Sequence, residues 1–422
     1  MMAAKFWRSW QTLSHVARQL MAARFLRSIA QGALGVDFTL YLAARHWSAA
    51  EVGLLLMAGG LSGAGLSVLV GTVSDRIGRR IFLLIYEVGL IIGTAAVILF
   101  PVSWIFVLTA ALFGFGRGAN GSSGPFAPAE QAWLAQSVPS QTRGKIFSFN
   151  AGLQFWGMGL GSLLAGILPH MVKAFSGAAI YLPVFGLTLV MAIINLVQIA
   201  SLREQVPEAP RTLDSAEEHK EQESVHHQEN RALMLLTGVN MVNSLGIGLV
   251  APLLPYWFHL KFGVGPGAIG SVYALAFFLT GISSLMVGKL SEKFGLIRAI
   301  VLPRVLGVAL LIAIPLMPAF SYAAVLYVAR SIVNRGSVGA RQAFSVGLVR
   351  DHRRGLASSL NAVSWSVPAA LGPAIGGWLI GLGALTWPFG LAAGLQLLYV
   401  VLFPLLMGRY EPPKPALSER SG

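Results

Sequence analysis

Charged side chains inside long apolar segments are the residues of this sequence best placed to do chemistry. Asp37 stands in GALGVDFTLYL with no basic residue three or four positions away, and Glu87 stands in LLIYEVGLIIG. A charge at membrane depth is costly, and such residues usually mark ion or substrate paths. Asp37 is therefore our leading candidate for a carboxylate that takes up a proton or contacts a substrate. The alternative is an outer-end aspartate in contact with water, and Glu87 is open to the same two interpretations.

Arg117 heads a second stretch, RGANGSSGPFAP, with Gly118, Gly121 and Gly124 behind it. Because arginine keeps its proton in proteins, an arginine at membrane depth must face water, an acid or an anionic ligand. Glu130, farther along the same segment, is either its acidic partner or part of an inner gate.

A third stretch, YVARSIVNRGSVGARQAFSVGLV, carries Arg330, Asn334, Arg335 and Arg341. Arg330 and Asn334 are four positions apart and Arg341 follows Arg330 by eleven, so these three share one helix face. A row of cations at this depth is hard to explain by packing. It either binds an anionic substrate or pairs with the acids named above.

Composition indicates what must hold these residues. The 422 residues are 55% hydrophobic and 11% charged, with a mean hydropathy of +0.68. Since about 20 apolar residues span a bilayer as a helix, we predict an all-α integral membrane protein with about twelve crossings. Their spans are 20–44, 51–73, 81–101, 104–136, 146–168, 178–201, 232–257, 266–289, 297–318, 321–349, 356–382 and 385–407. Arg24 and Arg27 then lie near the inner end of the first crossing and should extend to the interface.

Basic residues collect in alternate connections, and the formal net charge is +14. Because Lys and Arg are retained in cytoplasmic loops, we predict a multi-pass protein of the cell (inner) membrane with cytoplasmic N- and C-termini. The bases are spread over every inner loop without a recognition module, so we do not expect nucleic acid as a partner.

One long polar stretch divides the chain. We predict an N-terminal six-helix bundle over 1–201, a cytoplasmic linker over 202–230 and a C-terminal six-helix bundle over 231–422. The linker contains His219, His226 and His227, but such clusters arise by chance in solvated segments, so no metal is predicted. The chain has no cysteine, which excludes disulfides and thiolate sites.

The two halves repeat each other. Gly71, Asp75, Arg76 and Gly78 return 217 positions later, in the same order. The second copies are Gly288, Glu292, Lys293 and Gly295. Arg143-Gly144 and Arg354-Gly355 likewise each precede a new helix. Such internal duplication is typical of secondary transporters.

The stretch GTVSDRIGRR, residues 71–80, resembles the loop motif between the second and third crossings of the major facilitator superfamily. The degraded second copy, the six-plus-six layout and the charged central loop extend this resemblance over the whole chain. The resemblance implies two pseudo-symmetric bundles that rock about a midplane cavity. It also implies transport driven by an ion or solute gradient, and it leaves the substrate open.

The resemblance assigns roles to the residues of this loop. Gly71 lets another helix approach closely. Similar proteins use the aspartate at Asp75 to latch the two halves against the start of the eleventh crossing. Arg76, Arg79 and Arg80 are expected at the lipid headgroups, and the second copy is expected to form a related hinge.

Two further motifs bear on coupling to protons. In similar proton-driven antiporters, an arginine followed four residues later by glycine, as at Arg117, is linked to proton transfer. Drug exporters of the superfamily usually carry Gly-Pro on the fifth crossing, which here has glycines but no proline. The Gly-Pro pair lies on the eleventh crossing instead. The packing glycines and this pair are Gly157, Gly161, Gly372, Pro373 and Gly376, and we expect the glycines of the fifth crossing to permit sliding contact between the halves.

Three functions compete. The first is a proton-coupled exporter (an antiporter) of a drug or small metabolite, favoured by the motifs and by aromatic side chains for a cavity: Phe38, Trp133, Phe155, Trp156, Tyr256 and Trp365. The second is a proton symporter or exchanger for a small organic anion, favoured by the excess of intramembrane arginine. A membrane enzyme or sensor lacks a nucleotide-binding loop or a metal-ligand pair. We predict the first, with the second as alternative: a monomer, not an enzyme, without cofactor or metal, whose partners are protons, a small-molecule substrate and the lipid bilayer.

Overall fold

The protein is helical throughout the part that the computed structural model describes. That part comprises residues 13–116, 126–139, 143–171, 175–204, 219–294, 296–336 and 354–410, with residues 341, 344 and 348 in addition. No β-strand occurs within these ranges, and eight of their helices are long and apolar enough to cross a membrane. The predicted fold class, all-α with about twelve transmembrane helices in two pseudo-symmetric bundles, is confirmed.

The N-terminal bundle contains the first six crossings, and its fourth crossing is described in two pieces. The helices are His15–Ala44, Ala49–Ile77, Arg79–Leu99, Ser103–Phe113 with Ala127–Gln136, Arg143–Met171 and Leu182–Ala200. The first helix begins five residues earlier than the predicted span.

The C-terminal bundle contains the other six crossings, and the seventh continues past a short 3-10 turn. The helices are His219–Val250 with Leu254–Phe262, Pro266–Phe294, Leu296–Ala313, Phe320–Gly336, Arg354–Gly381 and Trp387–Met407. The seventh crossing begins inside the predicted linker. The three domain boundaries stay a prediction.

Local sequence explains several helix ends. The Ser14 hydroxyl accepts the N–H of Ala17 at 3.2 Å and caps the first crossing. Ser48 and Glu51 form a capping box at the start of the second crossing, which satisfies two N–H groups that have no partner within the helix. Gly78 ends the second crossing with φ of 109°, a conformation that favours glycine. The third crossing therefore starts at the next residue.

The two bundles touch closely at the end that carries the Ser48 connection. A β-carbon on Gly53 would overlap the Pro373 carbonyl, and one on Gly377 would overlap the Ala49 carbonyl. The Tyr256 hydroxyl also donates to the Trp47 carbonyl at 3.1 Å. Under the predicted orientation this is the outer end, so the second and eleventh crossings meet there backbone to backbone.

The glycines named from the sequence lie mostly inside a bundle rather than between the bundles. Added β-carbons would overlap carbonyl or backbone atoms at the following pairs: Gly157 with Phe25, Gly161 with Ile29, Gly372 with Gly248, and Gly376 with Leu249. These pairs join the fifth crossing to the first and the eleventh to the seventh. On the fifth crossing, contact with the other half instead involves Gly159, which faces Phe278, and Gly166, which faces Gly267.

Candidate functional site

A buried network of ion pairs lies inside the N-terminal bundle. Nε and Nη2 of Arg27 donate to Oε1 of Glu87 at 2.9 and 2.8 Å, and Nη1 of Arg27 donates to Oε2 of Glu130. Nη1 of Arg24 lies 3.4 Å from Oε1 of Glu130, and its Nη2 donates to Oε1 of Gln154 at 2.5 Å. Glu87 is 0% exposed and Arg27 is 5% exposed. Two arginines and two glutamates thus neutralise each other away from solvent.

Four crossings supply this network. Arg24 and Arg27 are three residues apart on the first crossing and so share a face. Glu87 comes from the third, Glu130 from the second piece of the fourth, and Gln154 from the fifth. The ring of Tyr86 lies 5.7 Å from the Arg27 guanidinium carbon; a cation over an aromatic face adds to the stabilisation.

The expectation that Arg24 and Arg27 extend to the membrane surface is wrong. Both side chains turn into the bundle, where they are 4% and 5% exposed, and their guanidinium groups pair with Glu87 and Glu130. The sequence did contain a signal: two bases at helical spacing inside an apolar run, with two glutamates elsewhere in the same half.

The network leaves one polar position open. Oε2 of Glu87 has no hydrogen-bond partner in the described part of the chain. A cavity of about 20 Å³ lies beside Arg27 and is lined by Gln31, Tyr86 and Thr188 among others. A volume of this size holds about one water, so the Arg27 side of the network has room for a proton-conducting molecule.

Asp37 is buried alone on the first crossing. It is 1% exposed, and neither of its carboxylate oxygens has a hydrogen-bond partner among the described residues. Tyr181 is close enough to interact with it electrostatically. The alternative of an aspartate wetted at the outer end is contradicted by this burial.

The arginines of the tenth crossing lie among aromatic and amide groups. The Arg335 guanidinium carbon is 4.8 Å from the centre of the Phe277 ring and 5.8 Å from that of Phe155, so it touches rings from both bundles. Arg341 stacks on Trp365 at 4.3 Å. Arg330 donates to Oε1 of Gln396 at 3.5 Å.

Asn334 is buried on the same crossing, where its amide faces Gly307 of the ninth crossing. A β-carbon on Gly307 would overlap this amide. The ninth and tenth crossings therefore pack closely at this level.

A fourth arginine was missed from the sequence. Arg304 lies on the ninth crossing beside Pro303 and is 2% exposed. Its guanidinium carbon is 5.9 Å from the Tyr399 ring, and Arg341 and Arg330 are near enough to repel it. The signal available was a single Arg inside the apolar run AIVLPRVLGVALL.

The described acids of the chain do not pair with these C-terminal arginines. Over the described ranges, no carboxylate lies within salt-bridge distance of Arg304, Arg330 or Arg341. Asp37 does not pair with them, and Glu87 and Glu130 pair with the first crossing instead. Pairing of these three arginines with Asp37, Glu87 or Glu130 across a central cavity, one of the two interpretations of the sequence, is contradicted by this geometry.

The loop motif is held by a glutamate that the sequence analysis did not single out. Both Glu204 oxygens accept backbone N–H groups at the start of the third crossing, from Arg79 at 3.0 Å and from Arg80 at 2.8 Å. Carboxylates stabilise helix N-termini in this way. Arg80 also donates from Nη2 to the Ala200 carbonyl at 2.6 Å. Arg79 is buried rather than exposed at the headgroups.

Several predicted residues fall outside the described part of the chain. The backbone positions of Arg117 and Gly295 lie outside it, and so do the side chains of Asp75, Arg76, Glu292 and Lys293. Gly288 lies on the eighth crossing, and Gly71 has Pro128 as its nearest described neighbour at 3.8 Å from an added β-carbon. The latch assigned to Asp75 stays a prediction.

The aromatic residues predicted for a cavity separate into two groups. Phe38 is buried in the N-terminal bundle, where its ring packs edge-on to Phe115 at 5.6 Å between centroids, and Trp133 is buried as well. Phe155 stacks on Phe277 of the other bundle at 6.3 Å. Trp156 faces Gly281, also across the interface. Only the second group lies where the two bundles meet.

Relatives and solved structures agree with this architecture. The chain is 24% identical over 343 residues to the uncharacterized membrane protein YJR124C of Saccharomyces cerevisiae, covering 75% of this chain and 76% of that protein. It is 29% identical over 248 residues to the multidrug resistance protein MdtG of Dickeya zeae, covering 57% and 56%. The crystal structure of a D-xylose-proton symporter superposes with a TM-score of 0.72 at 14% identity, over 94% of this chain and 98% of that one. At this identity the likeness concerns the fold.

The family itself follows from a match over almost the whole chain. The sequence profile described as Major Facilitator Superfamily matches residues 20–236 and again residues 236–422. The two matches divide the chain into two similar parts, as the repeat of the loop motif does. This chain therefore belongs to the Major Facilitator Superfamily and is a membrane transporter.

Proposed function

We propose that the chain is a proton-coupled secondary transporter for a small organic anion, working by alternating access. One observation carries the substrate class: the buried arginines of the N-terminal bundle are neutralised by glutamates, whereas Arg304, Arg330 and Arg341 of the other bundle have no carboxylate within salt-bridge distance in the described part of the chain. Burying a charge without a partner is expensive. An anionic substrate supplies the missing partner when it binds.

Proton coupling is the second part of the proposal. Asp37 supports it, because a buried carboxyl group without a basic partner can change its charge only by taking up or releasing a proton. Glu87 and Glu130 support it through the ion pairs that protonation would break. Arg117 belongs to the same proposal on the strength of its motif.

Drug export is the second candidate, and a specific similarity favours it. MdtG, whose name is that of a multidrug resistance protein, is 29% identical over 57% of this chain. The ring pair of Phe155 and Phe277 beside Arg335 offers an aromatic surface between the bundles. An amphiphilic anion as substrate would be consistent with both candidate functions.

Topology and assembly complete the proposal. We place the protein in the cell (inner) membrane with both termini cytoplasmic, as a monomer built from the bundles 1–201 and 231–422 and the linker 202–230. Asp75 and the copy at Glu292 serve the inner gate. The protein is not an enzyme, and its partners are protons, the substrate and lipid rather than nucleic acid.

Reconstituted protein tests the proposal directly. Liposomes that contain the protein and an internal pH dye are given benzoate, a tetraalkylammonium salt or glucose. We expect protein-dependent proton movement with benzoate alone, and we expect Asp37→Asn and Arg330→Gln to abolish it. Arg409→Gln, an exposed arginine at the end of the last crossing, is the matched control and should behave as wild type. Equal proton movement with the cation, or full activity of both variants, would overturn the proposal.

A further inference from the structure

The third and ninth crossings carry opposite charges at the same position. The third crossing is the helix Arg79–Leu99 and the ninth is Leu296–Ala313. Glu87 is the ninth residue of the first of these helices, and Arg304 is the ninth residue of the second. An acid in one half therefore stands where a base stands in the other.

A second pair of positions shows the same inversion. Arg143-Gly144 of the fifth crossing and Arg354-Gly355 of the eleventh are the repeated pair that aligns the two halves here. Glu130 precedes Arg143 by thirteen residues, and Arg341 precedes Arg354 by the same number. Both glutamates of the N-terminal network thus correspond to arginines in the C-terminal bundle.

The neighbours of these positions correspond as well. Gln154 and Trp365 are the twelfth residues of the fifth and eleventh crossings. Gln154 accepts a hydrogen bond inside the N-terminal network, and Trp365 stacks on Arg341. The two halves therefore build the same neighbourhood from different side chains.

The counter-charge of the first crossing has no counterpart over residues 232–260 of the seventh crossing. In the N-terminal bundle it comes from the first crossing, which packs on the fifth where Gly161 meets Ile29. The seventh crossing packs on the eleventh in the same way, where Gly372 meets Gly248. Residues 232–260 of the seventh crossing contain no Asp, Glu, Lys or Arg.

Arg304, Arg341 and Tyr399 form a cluster that has no acidic partner in the described part of the chain. Tyr399 is 0% exposed, and its hydroxyl has no hydrogen-bond partner among the described residues. The Nε atoms of Arg304 and Arg341 lack one too. Both guanidinium groups interact electrostatically with the Tyr399 side chain. Three buried donor atoms therefore lie close together, and no acceptor in the described part of the chain forms a hydrogen bond with them.

We infer that Arg304, Arg341 and Tyr399 form a binding subsite for a small oxyanion with two negative charges, inside the C-terminal bundle. This inference rests on the proposed function and names the class of anion that the site prefers: dianions over monoanions such as benzoate. The N-terminal bundle balances two arginines with two carboxylates, and a dianion restores the same balance around Arg304 and Arg341. Guanidinium groups bind carboxylate and phosphate oxygens with paired hydrogen bonds, and the Tyr399 hydroxyl adds a neutral donor.

The half-buried Arg341 is the more exposed arginine of this subsite. Its guanidinium group covers the ring of Trp365, which is also half-buried. Arg304 is 2% exposed, so a ligand reaches Arg341 first and Arg304 after it. Dicarboxylates and phosphate share the required chemistry, so the test includes one of each.

The experiment measures thermal unfolding of the purified full-length protein with succinate, inorganic phosphate or acetate at constant ionic strength. A ligand that binds only the folded state raises the melting temperature. We expect succinate or phosphate to raise it and acetate to have a much smaller effect. Arg304→Glu should remove this shift, and the same variant should melt at or above the wild-type temperature without ligand, because it rebuilds an acid–arginine pair with Arg341.

Controls separate a lost site from a damaged fold. Arg298→Glu makes the same change of charge at an exposed position of the same crossing and should keep the shift. Arg304→Lys keeps the charge but loses the paired hydrogen bonds, so the Kd for the dianion should rise about tenfold or more. If Arg304→Glu does not fold, Arg304→Lys alone decides the matter.

Two results would overturn the inference. One is a dianion Kd unchanged in Arg304→Lys or Arg304→Glu. The other is an equal shift with acetate and with both dianions. If benzoate-driven proton movement persists in the wild type while either result is found, this subsite is wrong and the proposed function stands. If the wild-type protein moves no anion at all, the proposed function itself is overturned.

Discussion

The N-terminal bundle buries two arginines against two glutamates, with Arg27 held by both Glu87 and Glu130. The C-terminal bundle buries Arg304 beside Arg341 with aromatic rings and amides as neighbours. In the N-terminal bundle the counter-ions belong to the protein. In the described part of the C-terminal bundle no carboxylate lies within salt-bridge distance of Arg304 or Arg341, so the counter-ion that we propose there is a bound anion.

The largest expected effect comes from breaking the N-terminal network. Glu87→Gln should lower the free energy of unfolding by about 3–5 kcal/mol, because it leaves a buried arginine charge without one of its two carboxylate partners. Chemical unfolding in detergent, followed by circular dichroism, measures this. The double variant Arg27→Gln with Glu87→Gln should lose less than the single one. A double variant that loses the sum of both single effects would show that the pair is not coupled.

In the C-terminal bundle we expect a substitution that raises the free energy of unfolding rather than lowers it. Arg304→Met should raise the free energy of unfolding without ligand by about 1–3 kcal/mol, since it removes an uncompensated buried charge and keeps much of the volume. The same unfolding assay measures it, with Arg298→Met as the exposed control. A destabilised Arg304→Met would mean that the described residues do compensate its charge, and the contrast between the halves would disappear.

Glu204, a half-buried glutamate of the N-terminal half, provides a reference for the stability loss expected of Glu87→Gln. Glu204→Ala removes a carboxylate that accepts two N–H groups at the start of the third crossing. We expect a loss of about 1 kcal/mol, which is typical for a helix N-cap. A loss as large as that of Glu87→Gln would indicate that burial is not what distinguishes the two glutamates.

The smallest effect on stability is expected at Asp37. Asp37→Asn breaks no ion pair and keeps the shape of the side chain, so the free energy of unfolding should change by less than about 1 kcal/mol, the size of one net hydrogen bond. Proton-linked uptake should nevertheless be lost. Normal uptake in this variant would indicate that Glu87 or Glu130, rather than Asp37, couples proton movement to transport.

Much of the fold could be predicted from the sequence because membrane helices have strong local signals. Apolar runs of about 20 residues indicate a crossing, and the repeat of Gly71 at Gly288 indicated two halves. The position of Glu87 inside the third crossing could be predicted on the same basis. Helix ends are harder, because Ser14 can cap a helix before the apolar run begins. The burial of Arg24 and Arg27 has no local signal either, because it depends on glutamates of other crossings.

Pairing of charges could not be predicted in the same way. Arg27 meets Glu87 and Glu130 across separations of 60 and 103 residues, and no periodicity within one helix reports on such contacts. Arg304 was overlooked because one arginine in an apolar run has no local partner that would mark it. Its meaning comes from the comparison with Glu87, which needs the exact helix starts of both halves.

The sequence by itself determined the number of crossings, the duplication and the presence of more arginine than acid at membrane depth, because hydropathy and spacing are properties of the local chain. Only the tertiary structure decided which arginines have a counter-ion. The glycine contacts that bring the first crossing onto the fifth also bring Arg24 and Arg27 to Glu87 and Glu130. The equivalent contact of the seventh crossing with the eleventh brings no carboxylate to Arg304 in the part of the chain that the structure describes.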